Sequence, residues 1–125
     1  MKVCVVALGK IGLPLAVQFA QAGHHVIGVD ISSSVVDLIN SGKAPFPGEE
    51  GLEERLEVVL LNQTFKATTD TCQSVAESEV VVVVVPLIVD ENAEPDFSAL
   101  DAATTEIGKG LKKGTLVSYE TTIPV

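Results

Sequence analysis

At 125 residues the chain is long enough for one domain with a real core, and short for an enzyme that must hold two substrates. Hydrophobic residues make up 46% and aromatics only 4%, so the core must be built from Val, Leu, Ile and Ala. A net charge of −9 argues against nucleic acid or an anionic membrane as a partner.

In chain order, Val3–Leu8 reads as a buried strand and residues 11–22 as an apolar helix, with Pro14 tolerated in its first turn and Gly23 ending it. Val26–Asp30 reads as a second strand that finishes on an acid, 18 residues beyond Gly12. Strand, glycine turn, helix and acid-terminated strand form the layout of a dinucleotide-binding βαβ unit. Gly9 lets backbone approach a pyrophosphate, and Gly12 lets the helix pack close to the strand. The amides at the helix start meet the phosphate charge, and Asp30 can accept hydrogen bonds from a ribose diol. The first glycine of the usual G-x-G-x-x-G is Ala7 here, which can hold the turn if its φ is negative. A ligand-free Rossmann-type unit would leave Asp30 unexplained, because a carboxylate at the open end of a sheet has little structural purpose. Met1-Lys2 before an apolar run hints at a signal peptide, but Gly9-Lys10 breaks the run, and cleavage after Ala22 would remove the fingerprint.

Ser32, Ser33 and Ser34 offer N-caps to a helix through Val35, Val36, Leu38 and Ile39 that stops near Gly42. Lys43–Gly48 is a loop. A helix of residues 50–62 follows, with Leu52, Leu56, Val59 and Leu60 inward and Glu49, Glu50, Glu53, Glu54 and Glu57 as its wet face. Phe65–Thr68 is a short third strand. Cys4 reads as a small buried hydrophobe and Cys72 lies in a polar connection; neither has motif spacing, and both suit a reducing, cytoplasmic setting. No metal site is expected. Val80–Val85 is a fully buried fourth strand, far too short to span a bilayer. Pro86–Pro95 is a polar loop, residues 98–110 a helix, and Leu116–Glu120 a fifth strand. Alternation of strands and helices predicts an α/β, Rossmann-type, doubly wound parallel sheet in three layers, with strand order 3-2-1-4-5. The chain stops just past the last strand, which suggests residues 1–125 are one dinucleotide-binding domain cut from a longer protein.

Several segments together resemble the NAD-binding domain of the UDP-glucose/GDP-mannose dehydrogenase family, whose members oxidise the C6 alcohol of a sugar nucleotide to a carboxylate in two NAD-dependent steps. Ala7-Leu-Gly-Lys-Ile-Gly-Leu-Pro-Leu-Ala16 is similar to the family's G-L-G-Y-I-G-L-P-L-A. Val26-Ile-Gly-Val-Asp30, Ile39-Asn-Ser-Gly42, Pro45-Phe-Pro-Gly-Glu-Glu-Gly-Leu-Glu-Glu54, Ala67-Thr-Thr-Asp70, Val85-Pro86 and Glu120-Thr-Thr-Ile-Pro124 continue the likeness in order. The glycine turns alone would also suit a β-hydroxyacid dehydrogenase; the Glu-Glu-Gly-Leu and Thr-Thr-Ile-Pro segments favour the sugar-nucleotide family.

The resemblance implies that Gly9, Lys10, Ile11 and Gly12 hold the pyrophosphate of NAD and that Asp30 holds the adenosine ribose. It implies further that Val85 and Pro86 line the cofactor edge, Thr121 touches the nicotinamide end, and Thr122 positions a water in the active site. Four places depart from the family wording: Ala7; Lys10 in place of an aromatic; Ser34 and Val35 where a basic residue is frequent; and Leu87-Ile88 in place of Thr-Pro. The family's catalytic cysteine and lysine and its UDP-sugar-binding domain lie beyond residue 125, so the chain can carry a cofactor but not the reaction. The parent is expected to be a cytoplasmic homo-oligomer whose substrate, a UDP-sugar, leans toward N-acetylhexosamines. A stand-alone module sensing NAD(H) is the alternative, and the Thr-Thr-Ile-Pro ending weighs against it.

Overall fold

The computed structural model describes residues 1–46, 51–84, 88–89, 95–96 and 98–119. Five strands, β1 (Lys2–Val6), β2 (His25–Val29), β3 (Phe65–Thr68), β4 (Val80–Val83) and β7 (Leu116–Tyr119), form one parallel sheet in the order β3-β2-β1-β4-β7. That is the order read from the sequence. Helices α1 (Gly12–Gln21), α2 (Ser33–Asn40) and α3 (Leu52–Leu61) accompany the first three strands, and α4 (Thr71–Ala76) and α5 (Ser98–Gly110) the remainder.

The valine runs are explained by a sheet covered on both faces. Along β1, Val3 and Val5 belong to a core shared with Leu13 and Val17 of α1 and Leu52 and Leu56 of α3. Cys4 and Val6 point the other way, into a second core with Val75 of α4, Val81 and Val83 of β4, and Ile107 of α5. A strand buried on both sides shows no polar alternation, so its sequence is a continuous apolar run. Register places Val5 between Gly28 and Val82. The Leu8 side chain occupies the space over Gly28 that a Cβ would otherwise fill.

Side chains close the elements. Ser32 accepts the Val35 amide at 3.4 Å to cap α2, as its serine run suggested. At the other end of α2, Asn40 donates to the Ala67 carbonyl at 2.9 Å and accepts the Ala67 amide at 3.0 Å. It thereby satisfies backbone on the outer side of edge strand β3.

Two features differ from the sequence reading. The connection containing Cys72 is the six-residue helix α4, capped by Asp70, whose Oδ1 accepts the Gln73 amide at 3.0 Å. Six residues show too little periodicity to register, and the cap was its one local signal. Within the supposed loop 86–95 the chain forms β5 (Ile88–Val89), which pairs antiparallel with β6 (Pro95–Asp96). The strand ends also differ by a residue or two: β1 stops at Val6 because Ala7 turns away with a φ of 81°.

Complete burial pushes the Cys4 thiol up to about 12. The native state therefore keeps a proton that the unfolded chain releases above about pH 9. Cys4 thus contributes stability that is fully present below about pH 9 and lost as pH rises toward 12. Urea titrations across that range should show a steeper alkaline loss for the natural chain than for Cys4→Ala; equal slopes would refute this. A thiol reagent at neutral pH should label the half-buried Cys72 and leave Cys4 unmodified until unfolding.

Candidate cofactor site

The carboxyl ends of β1, β2 and β4 lie side by side, and the first crossover of the sheet direction falls between β1 and β4. Open α/β sheets bind ligands at such a point, because the connections on either side of it leave in opposite directions and open a crevice. Backbone hydrogen bonds continue past the strands here. The Ala7 amide donates to the Val29 carbonyl at 2.7 Å, and the Val84 amide donates to the Val6 carbonyl at 3.1 Å. The Asp30 amide donates to the Thr68 carbonyl at 3.2 Å, which carries the alignment outward to β3.

Beyond Val6 the chain turns into α1. Gly12 begins the helix with its α-carbon so close to Ala7 that an added Cβ would overlap the Ala7 carbonyl oxygen and press on Val84. No other residue fits without moving backbone. Gly9 is different: a Cβ there would meet no protein atom, and the turn around it is exposed. The fold therefore does not require glycine at Gly9, whereas a ligand lying against the backbone would.

The start of α1 is prepared for an anion. Ser32 and Asp70 cap α2 and α4, and α3 carries Glu53 and Glu54 in its first turn. In α1 no side chain caps the N-terminus and no acid occupies the first turn. Its leading amides retain partial positive charge, and the exposed Lys10 stands beside them. Gly9, Lys10, Ile11 and Gly12 are thus brought together at one helix start, with Ile11 69% exposed.

Asp30 stands at the neighbouring strand end, and here the structure corrects the sequence reading. Its carboxylate has a structural purpose: Oδ2 accepts the Leu8 amide at 3.0 Å and Oδ1 accepts the Ser32 amide at 3.0 Å. One side chain joins the turn after β1 to the start of α2. Each carboxylate oxygen has a further lone pair, so the same group can still accept from a ribose hydroxyl. The amides of Leu8 and Ser32 and the carbonyl of Val29 were missed as parts of this site, since backbone groups leave no mark on a sequence.

Ala7 supplies the second correction. Its φ is 81°, not negative, so the alanine occupies the region a glycine would favour. A Cβ in that conformation costs about 1–2 kcal/mol. The hydrogen bonds on either side of its peptide, together with the fit of its carbonyl against Gly12, hold it there.

Val85, Pro86, Thr121 and Thr122 lie outside the described residues. Among the described residues, no group of three or more His, Cys, Asp or Glu side chains is arranged to hold a metal ion, and no helix is long and apolar enough to cross a membrane. A hollow of about 460 Å³ lined by Lys2, His25, Ile27, Lys66 and Glu77 opens at the amino ends of β1 to β3. It is at the wrong end of the sheet to share a ligand with Gly9 and Asp30.

Substitution should separate the two glycines. Gly12→Ala is expected to cost several kcal/mol, of the order seen when backbone strain and overpacking coincide. Gly9→Ala should leave the melting temperature nearly unchanged while weakening dinucleotide binding at least tenfold. Melting curves and calorimetric titration with NAD check both; a Gly9→Ala chain that binds NAD normally would remove the close-approach role.

Comparison with known proteins agrees with this geometry. The family model for the UDP-glucose/GDP-mannose dehydrogenase family, NAD binding domain, matches residues 1–125. The UDP-N-acetyl-D-mannosamine dehydrogenase of Campylobacter jejuni is 43% identical over 124 residues, covering 99% of this chain and 30% of the relative. The solved structure of the UDP-D-ManNAc dehydrogenase from Pyrococcus horikoshii superposes with a TM-score of 0.93 at 36% identity, covering 99% of this chain and 29% of that one. GDP-mannose dehydrogenase from Pseudomonas aeruginosa, solved as a ternary complex, gives a TM-score of 0.91 at 32% identity over 98% of this chain and 29% of that one. The chain thus spans about three-tenths of the length of these relatives. A prepared helix start, an acid-terminated second strand and a match along the whole chain lead to one conclusion: this chain belongs to the UDP-glucose/GDP-mannose dehydrogenase family, as its NAD-binding domain.

Proposed function

We propose that residues 1–125 are the cofactor domain of a longer nucleotide-sugar 6-dehydrogenase. The observation that carries this reading is the uncapped, exposed start of α1 beside a carboxylate already held in place. Gly9, Lys10, Ile11 and Gly12 take the pyrophosphate: the helix amides and the Lys10 ammonium supply positive charge, and Gly9 supplies the close approach. Asp30 accepts hydrogen bonds from the adenosine ribose. Ile31, 94% exposed next to it, offers an apolar edge to the adenine. Val85 and Pro86 border the cofactor, Thr121 meets its nicotinamide end, and Thr122 orients a water for the step that forms the carboxylate. NAD, when bound, accepts hydride from the sugar C6 carbon.

The substrate class we favour is a UDP-N-acetylhexosamine, supported by the likeness to the UDP-N-acetyl-D-mannosamine dehydrogenases of Campylobacter jejuni and Pyrococcus horikoshii. The rest of the parent would supply the catalytic cysteine, the lysine and the sugar-nucleotide site. The parent is expected to be a cytoplasmic homo-oligomer, and the net charge of −9 on these 125 residues disfavours their contact with nucleic acid or an anionic membrane.

Preference for NAD over NADP follows from charge. Asp30 is held by two amides and cannot swing away from a 2′-phosphate, and the adjoining Ile31-Ser-Ser-Ser34 brings no arginine to receive one. Calorimetry should show clearly tighter NAD binding, and equal or tighter NADPH binding would overturn the assignment. Asp30→Ala should weaken NAD by roughly 1–3 kcal/mol, the cost of losing charge-assisted hydrogen bonds. It should also lower the melting temperature, because Leu8 and Ser32 lose their acceptor.

Turnover needs substrate held against the nicotinamide. The 125-residue chain is therefore expected to bind NAD and to produce no NADH with any UDP-sugar. In the full-length parent, Thr122→Ala should lower kcat by roughly ten- to a thousandfold with little change in cofactor affinity or melting temperature. NADH formation by the 125-residue chain, or an undiminished rate in the variant, would contradict these assignments.

A further inference from the structure

Strand β2 carries a glycine in its interior, where glycine weakens a strand and commonly marks a close approach by another part of the chain. Register sets Gly28 between Val5 of β1 and Ala67 of β3, whose side chains enter the core beneath α1 and α3. Leu8, only 1% exposed, folds back over Gly28 from the turn after β1. A Cβ at Gly28 would lie 2.7 and 2.9 Å from the two Leu8 methyls and 3.1 Å from Cζ of Phe65. The same Leu8 donates its amide to Oδ2 of Asp30 at 3.0 Å, two residues beyond Gly28. One residue is thus fixed twice against β2, its side chain by shape and its amide by charge.

We propose that Leu8 and Gly28 are positioning residues for the dinucleotide: the seat of the leucine on the glycine sets the distance between the pyrophosphate turn and the Asp30 carboxylate. This rests on the cofactor placement proposed above. Carbon atoms in contact stand about 3.5–4.0 Å apart, so a methyl at residue 28 would push Leu8 back by about 1 Å. Turning the last side-chain bond of Leu8 exchanges one methyl for the other in the same space, and Phe65 closes the remaining side. The displacement therefore passes to the Leu8 backbone, and its amide leaves hydrogen-bonding range of Oδ2. Asp30 keeps its bond to Ser32, but turn and acid lose the fixed spacing that a ligand gripping both requires.

Calorimetric titration with NAD and amide hydrogen exchange together test this role. Gly28→Ala is expected to weaken NAD about tenfold or more. It should also speed exchange of the Leu8 amide by about ten- to a hundredfold, the worth of one charge-assisted hydrogen bond, while the Ser32 amide exchanges as before. Leu8→Val withdraws the methyls by one bond, so the double variant Leu8→Val/Gly28→Ala conserves volume and should recover most of the affinity and the slow Leu8 amide. Val59→Ala, a cavity on α3 in the same core, is the control: it should lower the melting temperature and leave NAD affinity unchanged. Normal NAD binding by Gly28→Ala, a double variant no better than Gly28→Ala, or an equal loss of affinity in Val59→Ala would overturn the proposal. Should Gly28→Ala fail to fold, the double variant must fold and bind NAD close to the natural chain, and its failure overturns the proposal too. If the natural chain binds no NAD, the cofactor placement fails; the Leu8 amide still reports on the seat, and unchanged exchange there in Gly28→Ala refutes that step by itself.

Discussion

Two backbone amides, from Leu8 and Ser32, converge on the carboxylate of Asp30, and the open end of the sheet is organised around that group. Charge-assisted hydrogen bonds are roughly twice as strong as neutral ones, so a single acid can tie the turn after β1 to the start of α2. The turn places the start of α1, and α2 returns through Asn40 to the edge of β3. The acid that would read the ribose is thus also the acid that fixes the walls of the crevice. Structural and ligand-binding duty are not alternatives at this position, because a carboxylate has more lone pairs than the two amides use.

The two glycines of the turn divide the same way between fold and ligand. Gly12 is demanded by the protein itself, since the Ala7 carbonyl and Val84 already occupy the space a side chain would need. Gly9 is not, because nothing in the protein approaches it. A fingerprint of this sort therefore mixes packing requirements with binding requirements, and only the position of neighbouring atoms tells them apart. Ala7 belongs to neither group: it breaks the local backbone preference and is retained by its surroundings. Local rules fail most often at sites under functional constraint, where the surrounding structure over-determines the conformation.

The sheet that supports these groups is held by shape more than by size of side chain. With few aromatics, its cores use branched aliphatics from both strand faces, and α4 and α5 pack on one face while α1 to α3 pack on the other. Side chains of β1 and β4 are buried on both faces of the sheet, which holds in place the strand ends that a bound dinucleotide would span.

Much of this was legible in the residues alone. Alternating apolar runs and amphipathic helices imply a parallel sheet, since parallel strands need crossovers, and the strand order expected of a doubly wound dinucleotide-binding unit is the one observed. That the glycine turn and Asp30 share one end of the sheet followed too, because glycine spacing and a strand-terminal acid are local features. Helix α4 escaped, its six residues being too few for a periodic signal, and so did the short pair β5 and β6. The sign of φ at Ala7 and the hydrogen bond from the Leu8 amide to Asp30 could not be read at all. Both depend on atoms far apart in sequence, Val29 and Val84 in one case and Leu8 in the other, and only folding brings those atoms within hydrogen-bonding distance. By itself the sequence determined the order of elements, the buried faces and the end of the sheet that carries Gly9, Gly12 and Asp30; the tertiary structure decided which backbone groups close that end, because hydrogen-bond geometry exists only between segments already packed together.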